Sequence, residues 1–175
     1  EELGDQHHII STYINMSLVF ADHGDFEKAL QNANKALEVS KKSKDNMYLG
    51  YAYNTLGVIY YYQHQLQTSL EQHYSALKVR LVLEDKNALS DTYINIGIIY
   101  YELGIDYKEK GQMDSSTHYF DLALANYENA KICIEKTQNL SSLAGINVNL
   151  GSLNTQLKKY NEAKMYLQKG LELYQ

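Results

Sequence analysis

The sequence predicts an all-α protein of about eight helices stacked as antiparallel pairs. Three observations carry that expectation. There is no proline in 175 residues, and proline, with its fixed φ and missing N–H, is among the commonest ways a chain ends a helix. Apolar residues return at three- and four-residue spacings, as in Tyr53, Leu56, Ile59 and Tyr60 followed by Leu66, Leu70, Tyr74 and Leu77, which is the period of one helix face. These paired blocks recur about every forty residues, and self-similarity of that length marks an array of small supersecondary units.

The repeat can be followed position by position. Tyr13, Met16, Ser17 and Phe20 are matched by Tyr53, Leu56, Gly57 and Tyr60, then by Tyr93, Ile96, Gly97 and Tyr100, each set displaced by forty residues. Gly24, Phe26, Ala29, Ala33 and Ala36 open and fill a second helix, answered by His64, Leu66, Ser69, His73 and Ala76. A degenerate fourth copy runs from Leu150 and Gly151 through Lys158, Tyr160, Ala163, Leu167 and Gly170. The units fall at about 6–45, 46–85, 86–139 and 140–175, within a single repeat domain over 1–175. Glycine inside a helix costs roughly 1 kcal/mol of propensity, so the small residue of each first helix (Ser17, Gly57, Gly97, Gly151) needs a physical reason. Close approach of the paired helices supplies one, with Ala29, Ser69 and Ala163 as the facing depressions.

The third unit is longer. Gly97 and Gly151 stand 54 residues apart, fourteen more than the period. Seven residues nearly complete two helical turns, drifting only about 20°, so seven added to each helix of the pair would keep both apolar faces inward. This predicts helices near Leu89–Lys110 and Met113–Lys136, turning at Gly111–Gln112 and projecting about 10 Å beyond their neighbours at 1.5 Å per residue. Phe120 with Tyr127, and Ala123 with Ala130, are equivalent residues seven apart. The alternative is a flexible insertion starting at Gly104 between two helices of normal length. A projecting hairpin would be a contact surface.

These residues resemble the tetratricopeptide-repeat family, whose signature sets a bulky residue, Leu-Gly and Tyr on the first helix, and small, aromatic and Ala positions on the second. Tyr53, Leu56, Gly57 and Tyr60 carry the resemblance best, together with Gly24, Phe26 and Ala29, and with Tyr160 and Ala163. It covers essentially the whole chain. The sequence departs from the pattern in Ser17 for glycine, in having no tryptophan, and in having no proline at unit ends. Its forty-residue period looks like that of members with elongated second helices. The resemblance implies a right-handed superhelix whose first helices line a concave groove for extended or helical peptides.

On that implication, first-helix residues off the core face would meet a partner. Tyr51, Asn54, Val58, Tyr61 and Tyr62 in the second unit, and Ile94, Asn95, Ile98 and Tyr101 in the third, are the candidate partner-binding residues. Tyrosine joins a large apolar area to a hydroxyl, a combination enriched at binding anchors. Asparagine can pair with a peptide backbone as donor and as acceptor. The competing reading packs several of these tyrosines against the neighbouring first helix. One subtype of the family clamps acidic tails with Lys, Asn and Arg. Here the corresponding places hold Ile14, Leu18, Tyr51 and Thr55, and a desolvated carboxylate needs cationic partners, so an acidic tail is disfavoured.

Composition excludes other classes. The net charge is −5, with one arginine, Arg80, among sixteen basic residues. No cationic excess is available for a phosphate backbone or anionic lipid, and nucleic acid is not an expected partner. Apolar stretches such as Ile96–Tyr101 fall far short of the ~20 residues of a membrane-spanning helix, so no membrane contact by this segment is expected. The single cysteine, Cys133, excludes an internal disulfide, and its spacing from Ala130, Ile132 and Ile134 reads as a buried small residue. His7, His8, His23, His64, His73 and His118 show no metal-ligand spacing, and no phosphate-cradling loop or nucleophile elbow is present. No catalytic residue, metal or cofactor is expected.

The leading functional reading is a non-catalytic scaffold for a protein or peptide, using the groove or the long third hairpin. The alternative is the ligand- or peptide-sensing part of a bacterial signalling protein, a sensor kinase or transcription regulator. Asp5 aligns with Asp45 and Asp85, so 1–6 reads as a junction between units, while Leu167, Leu171 and Tyr174 have no following helix to cover them. A piece of a longer array is therefore expected, with exposed repeat ends that could also join two copies. The compartment stays open between cytoplasm and bacterial periplasm.

Overall fold

The computed structural model describes residues 2–135, 137 and 139–174, with the side chains of 2–5 left aside; Glu1 and the Asp5 side chain thus lie outside the described residues. The described residues form eight α-helices: α1 (Glu2–Asp22), α2 (Phe26–Ser43), α3 (Asn46–Tyr62), α4 (Leu66–Leu83), α5 (Lys86–Glu109), α6 (Met113–Ile134), α7 (Leu140–Gln156) and α8 (Tyr160–Leu173). They divide into two compact units, α1–α4 and α5–α8. The stretch read as a junction at the start is helical from Glu2 onward.

Each pair is joined by the same turn. Gly24, His64, Gly111 and Lys158 take the left-handed conformation, with φ of 77°, 57°, 73° and 58°. Their amides bond back three residues, and the next amide bonds back five, as in Gly24 N to Ala21 O and Asp25 N to Phe20 O, both 2.9 Å. This double bond satisfies carbonyls that a helix end leaves orphaned. Glycine adopts the conformation freely at Gly24 and Gly111, whereas His64 and Lys158 bear a steric cost that the two hydrogen bonds offset. Side chains start several helices: Asp25 accepts from Lys28 N, Asp45 from Tyr48 N and Asn139 from Ser142 N, at 3.1 to 3.2 Å.

The four turns reveal the true register. They are separated by 40, 47 and 47 residues, so the counterpart of Gly57 in the third pair is Gly104, and Gly97 lies one heptad earlier. α5 has 24 residues against 17 in α3, the seven more that were expected, whereas α6 has 22 against 18 in α4, four more, and the expected end at Lys136 lies outside the described residues. Gly104 is buried inside α5, which removes the reading of an insertion beginning there. Within the second unit Lys108 Nζ donates to Gln156 Oε1 at 2.9 Å and to Gln156 O at 3.3 Å. The turn ends of the two pairs are therefore level, and the added length lies at the end of the hairpin away from the turn.

The helical glycines allow the close approach expected of them, with Ser69 on Gly57 and Ala163 O 3.3 Å from a Cβ on Gly151, and they also make room for a bulky side chain. A Cβ on Gly57 would stand 2.6 Å from the His73 ring, one on Gly104 2.5 Å from the Phe120 ring, and one on Gly151 2.6 Å from Leu167. Each makes room for a side chain of the second helix sixteen residues on. In the first pair the same two places hold Ser17 and Ala33, both fully buried, so the serine is tolerated because its opposite number is small. Backbone contact occurs one turn nearer the loop: Ser69 Oγ donates to Gly57 O at 2.7 Å and Ser116 Oγ to Gly104 O at 2.8 Å.

Each unit owns a core. In the first, Ala29, Ala33, Leu56 and Ile59 form one cluster and Ile10, Ala36 and Ala52 another. In the second, Phe120, Tyr127 and Ile134 of α6 pack with Ile146, Leu150 and Leu153 of α7.

Candidate partner-binding surface

On α3, Tyr51, Asn54, Val58, Tyr61 and Tyr62 fall at helical steps that put them on one stripe, while Ala52, Leu56 and Ile59 turn into the core. Tyr51 is 38% exposed and Tyr62 is 45% exposed; Asn54, Val58 and Tyr61 are half-buried. The rings of Tyr61 and Tyr62 lie 6.0 Å apart. At the other end of the helix Tyr51 meets Tyr48 edge to face at 6.1 Å and lies beneath the Arg80 guanidinium, 5.3 Å from the ring centroid.

Arg80 was not singled out by sequence reasoning. It is only 3% exposed, and its stem passes Gly50, where a Cβ would stand 3.3 Å from Arg80 Cγ. Gly50, directly before Tyr51, was the available signal. A guanidinium over a tyrosine face is attracted by the ring quadrupole, so Arg80 fixes the orientation of Tyr51.

On α5, Ile94, Ile98 and Tyr101 pack against the edge of the second unit's core, and the Tyr101 ring lies 5.9 Å from Phe120. Asn95, one position off this line, is half-buried. The α5 residues thus spend more of their surface on packing than Tyr51 and Tyr62 of α3, which keep 38% and 45% of theirs exposed. A separate tyrosine cluster joins α5 and α6: the Tyr119 ring stacks on Tyr107 at 5.1 Å and on Tyr100 at 6.1 Å. Burial, then the neighbouring Tyr107, raises the Tyr119 hydroxyl above its ordinary range.

The titratable residues take structural roles. His73 is buried against Gly57, and its pKa falls to about 4, first through burial and then through the charge of Arg80. His7 Nε2 meets Asp45 Oδ2 at 2.6 Å. Cys133 is half-buried, not fully buried as its spacing suggested, because it lies off the face that carries Ala130 and Ile134. Among the described residues no group of three or more His, Cys, Asp or Glu could hold a metal ion. No described helix is long and apolar enough to cross a membrane.

Residues 144–175 match the family model of the tetratricopeptide repeat. Among solved structures, the TPR domain of Arabidopsis FLU is 19% identical, covering 70% of this chain and 98% of its own, with a TM-score of 0.54. MamA is 18% identical, covering 94% of this chain and 78% of its own, with a TM-score of 0.60. No curated protein matches the sequence. At these identities the structures show the fold: an α-solenoid of helix pairs. The last unit thus matches the tetratricopeptide-repeat model, and the described helix pairs share the fold of TPR domains, a fold that generally mediates protein–protein interaction. The sensor alternative draws no support from these likenesses.

Proposed function

We propose that the chain is a non-catalytic scaffold that binds a protein or peptide through the first helices of its repeats. Tyr51, Asn54, Val58, Tyr61 and Tyr62 of α3 are the principal anchors, and Ile94, Asn95, Ile98 and Tyr101 of α5 contribute where their packing leaves them open. The supporting observation is the α3 stripe, an aromatic row with two exposed rings, one of them held in place by a buried arginine. Rigid aromatic anchors lose little conformational freedom on binding. Tyr51→Ala/Tyr62→Ala changes two exposed side chains and leaves the cores alone. A photo-crosslinker at position 58, compared with one at exposed Lys78 of α4, should capture a distinct partner that the double variant no longer captures. Equal capture by the variant, with unchanged helical circular dichroism, rejects the reading.

A second reading, self-association through repeat ends, rests on register. Leu56 and Ile59 of α3 and Leu150 and Leu153 of α7 are buried, while their counterparts on α1, Met16 and Val19, are 43% and 55% exposed. Leu167 and Leu171 of α8 are exposed as well. A second copy could place its α1 on α8 as α3 lies on α2. Sedimentation that stays monomeric up to millimolar chain excludes it.

A further inference from the structure

On the faces turned away from their cores, α2 and α6 carry opposite charge. Lys28, Lys35 and Lys42 of α2 stand seven residues apart, and so do Asp114, Asp121 and Glu128 of α6. All six are exposed, and at 1.5 Å per residue each line has a step of about 10 Å. The three carboxylates have no ion-pair partner among the described residues. Lys28 meets Asp25 and Lys42 meets Glu38, both at 2.6 Å, and Lys35 lies over the Tyr13 ring. Exposed short-range pairs of this kind are weak and readily exchanged for another carboxylate.

The residues in between set a direction. Along α2 the line is Lys28, Gln31, Lys35, Glu38 and Lys42, with steps of three, four, three and four, all exposed. The exposed line on α6 has those steps only when taken backwards, through Glu128, Ala125, Asp121, His118 and Asp114. Laid antiparallel, the two lines match at every position. Each lysine falls opposite a carboxylate, and Glu38 falls opposite His118, whose ring N–H can donate to it. No like charges face each other along the seam. Laid parallel, the intervening residues fall out of step.

We propose that α2 of one copy of this chain docks antiparallel on α6 of a second copy, through three lysine–carboxylate pairs. Copies of net charge −5 repel one another as wholes, so the complementary lines decide which surfaces meet. The pairs are exposed and screened by salt, which makes the contact a low-affinity, salt-sensitive one. It uses neither the α3 stripe nor the repeat ends.

Sedimentation of the chain at up to about 1 mM should show self-association that weakens about ten-fold between about 50 mM and about 500 mM salt, as the Debye length shrinks from about 14 Å to about 4 Å. Lys35→Glu sets like charges against each other at the centre of the seam and should weaken association about five-fold. Adding Asp121→Lys to the same chain should restore it. Adding Glu128→Lys instead, the same change of net charge one step along, should weaken it further. These exposed sites lie away from the cores and helix ends, and circular dichroism checks that each variant keeps its helices. A chain that stays monomeric, or restoration by Glu128→Lys as complete as by Asp121→Lys, overturns the proposal. So does association indifferent to salt and to Lys35→Glu, which would assign the contact to the repeat ends.

Discussion

Ser17 faces Ala33, whereas Gly57 faces His73, Gly104 faces Phe120 and Gly151 faces Leu167. A bulky side chain on the second helix goes with glycine on the first, and serine on the first goes with alanine on the second, which makes a prediction about coupling. Gly57→Ala drives a methyl into an imidazole and should cost about 1–3 kcal/mol. Joined to His73→Ala, it recreates the Ser17–Ala33 arrangement, so the double variant should be more stable than the sum of the single losses by over about 1 kcal/mol in urea unfolding. Additive losses would deny the coupling. His73 also makes stability depend on pH. Its folded pKa is about 4, below the ordinary 6.5, so between those values the unfolded chain binds the proton that the folded chain refuses. Stability is therefore full above pH 6.5 and is lost as pH falls toward 4, by about 2 kcal/mol at pH 5. His73→Phe, which copies Phe120 opposite Gly104, should flatten that slope; an unchanged slope would place the titration elsewhere. The sequence displayed the small residues, but not what they faced, because a contact sixteen residues away is set by how two helices cross.

At the scale of the helices, end chemistry and heptad arithmetic account for most of what is seen. Asn139 is the side chain that starts α7, accepting from Ser142 N at 3.1 Å. Asn139→Ala should cost about 1 kcal/mol, read as a lowered unfolding midpoint, while Asn139→Asp should leave it almost unmoved. The long α5–α6 hairpin was legible from its fourteen extra residues, since only multiples of about seven keep a helix face inward. Counting forward from the first helices nonetheless paired Gly97 with Gly57. The turns, at Gly24, His64, Gly111 and Lys158, show Gly104 to be the counterpart. Two glycines one heptad apart are interchangeable to pattern reading, and the loop geometry distinguishes them. The α3 stripe was legible as an unspent aromatic row, but the reach of Arg80 over Tyr51 was not, because it depends on a stem passing Gly50 from another helix.

For the molecule as a whole, the two compact units have unlike cores. That of α1–α4 is rich in alanine, with Ala29, Ala33, Ala36 and Ala52, whereas α5–α8 buries Phe120, Tyr127, Ile134, Leu150 and Leu153. Burying large side chains contributes about 1.5–3 kcal/mol each and alanine far less, and repeat arrays are stabilised locally by such neighbour contacts. Produced separately, residues 86–175 should therefore unfold at a higher urea concentration than residues 1–85, as followed by circular dichroism; the reverse order would mean that stability resides elsewhere. The sequence by itself determined the helices, their pairing and the repeat class, because three- and four-residue periodicity, absent proline and a recurring small–large pattern are local properties of the chain. Only the tertiary structure decided which glycine opposes which ring and which tyrosines remain exposed. Those outcomes depend on the volume left between helices, and no single helix encodes it.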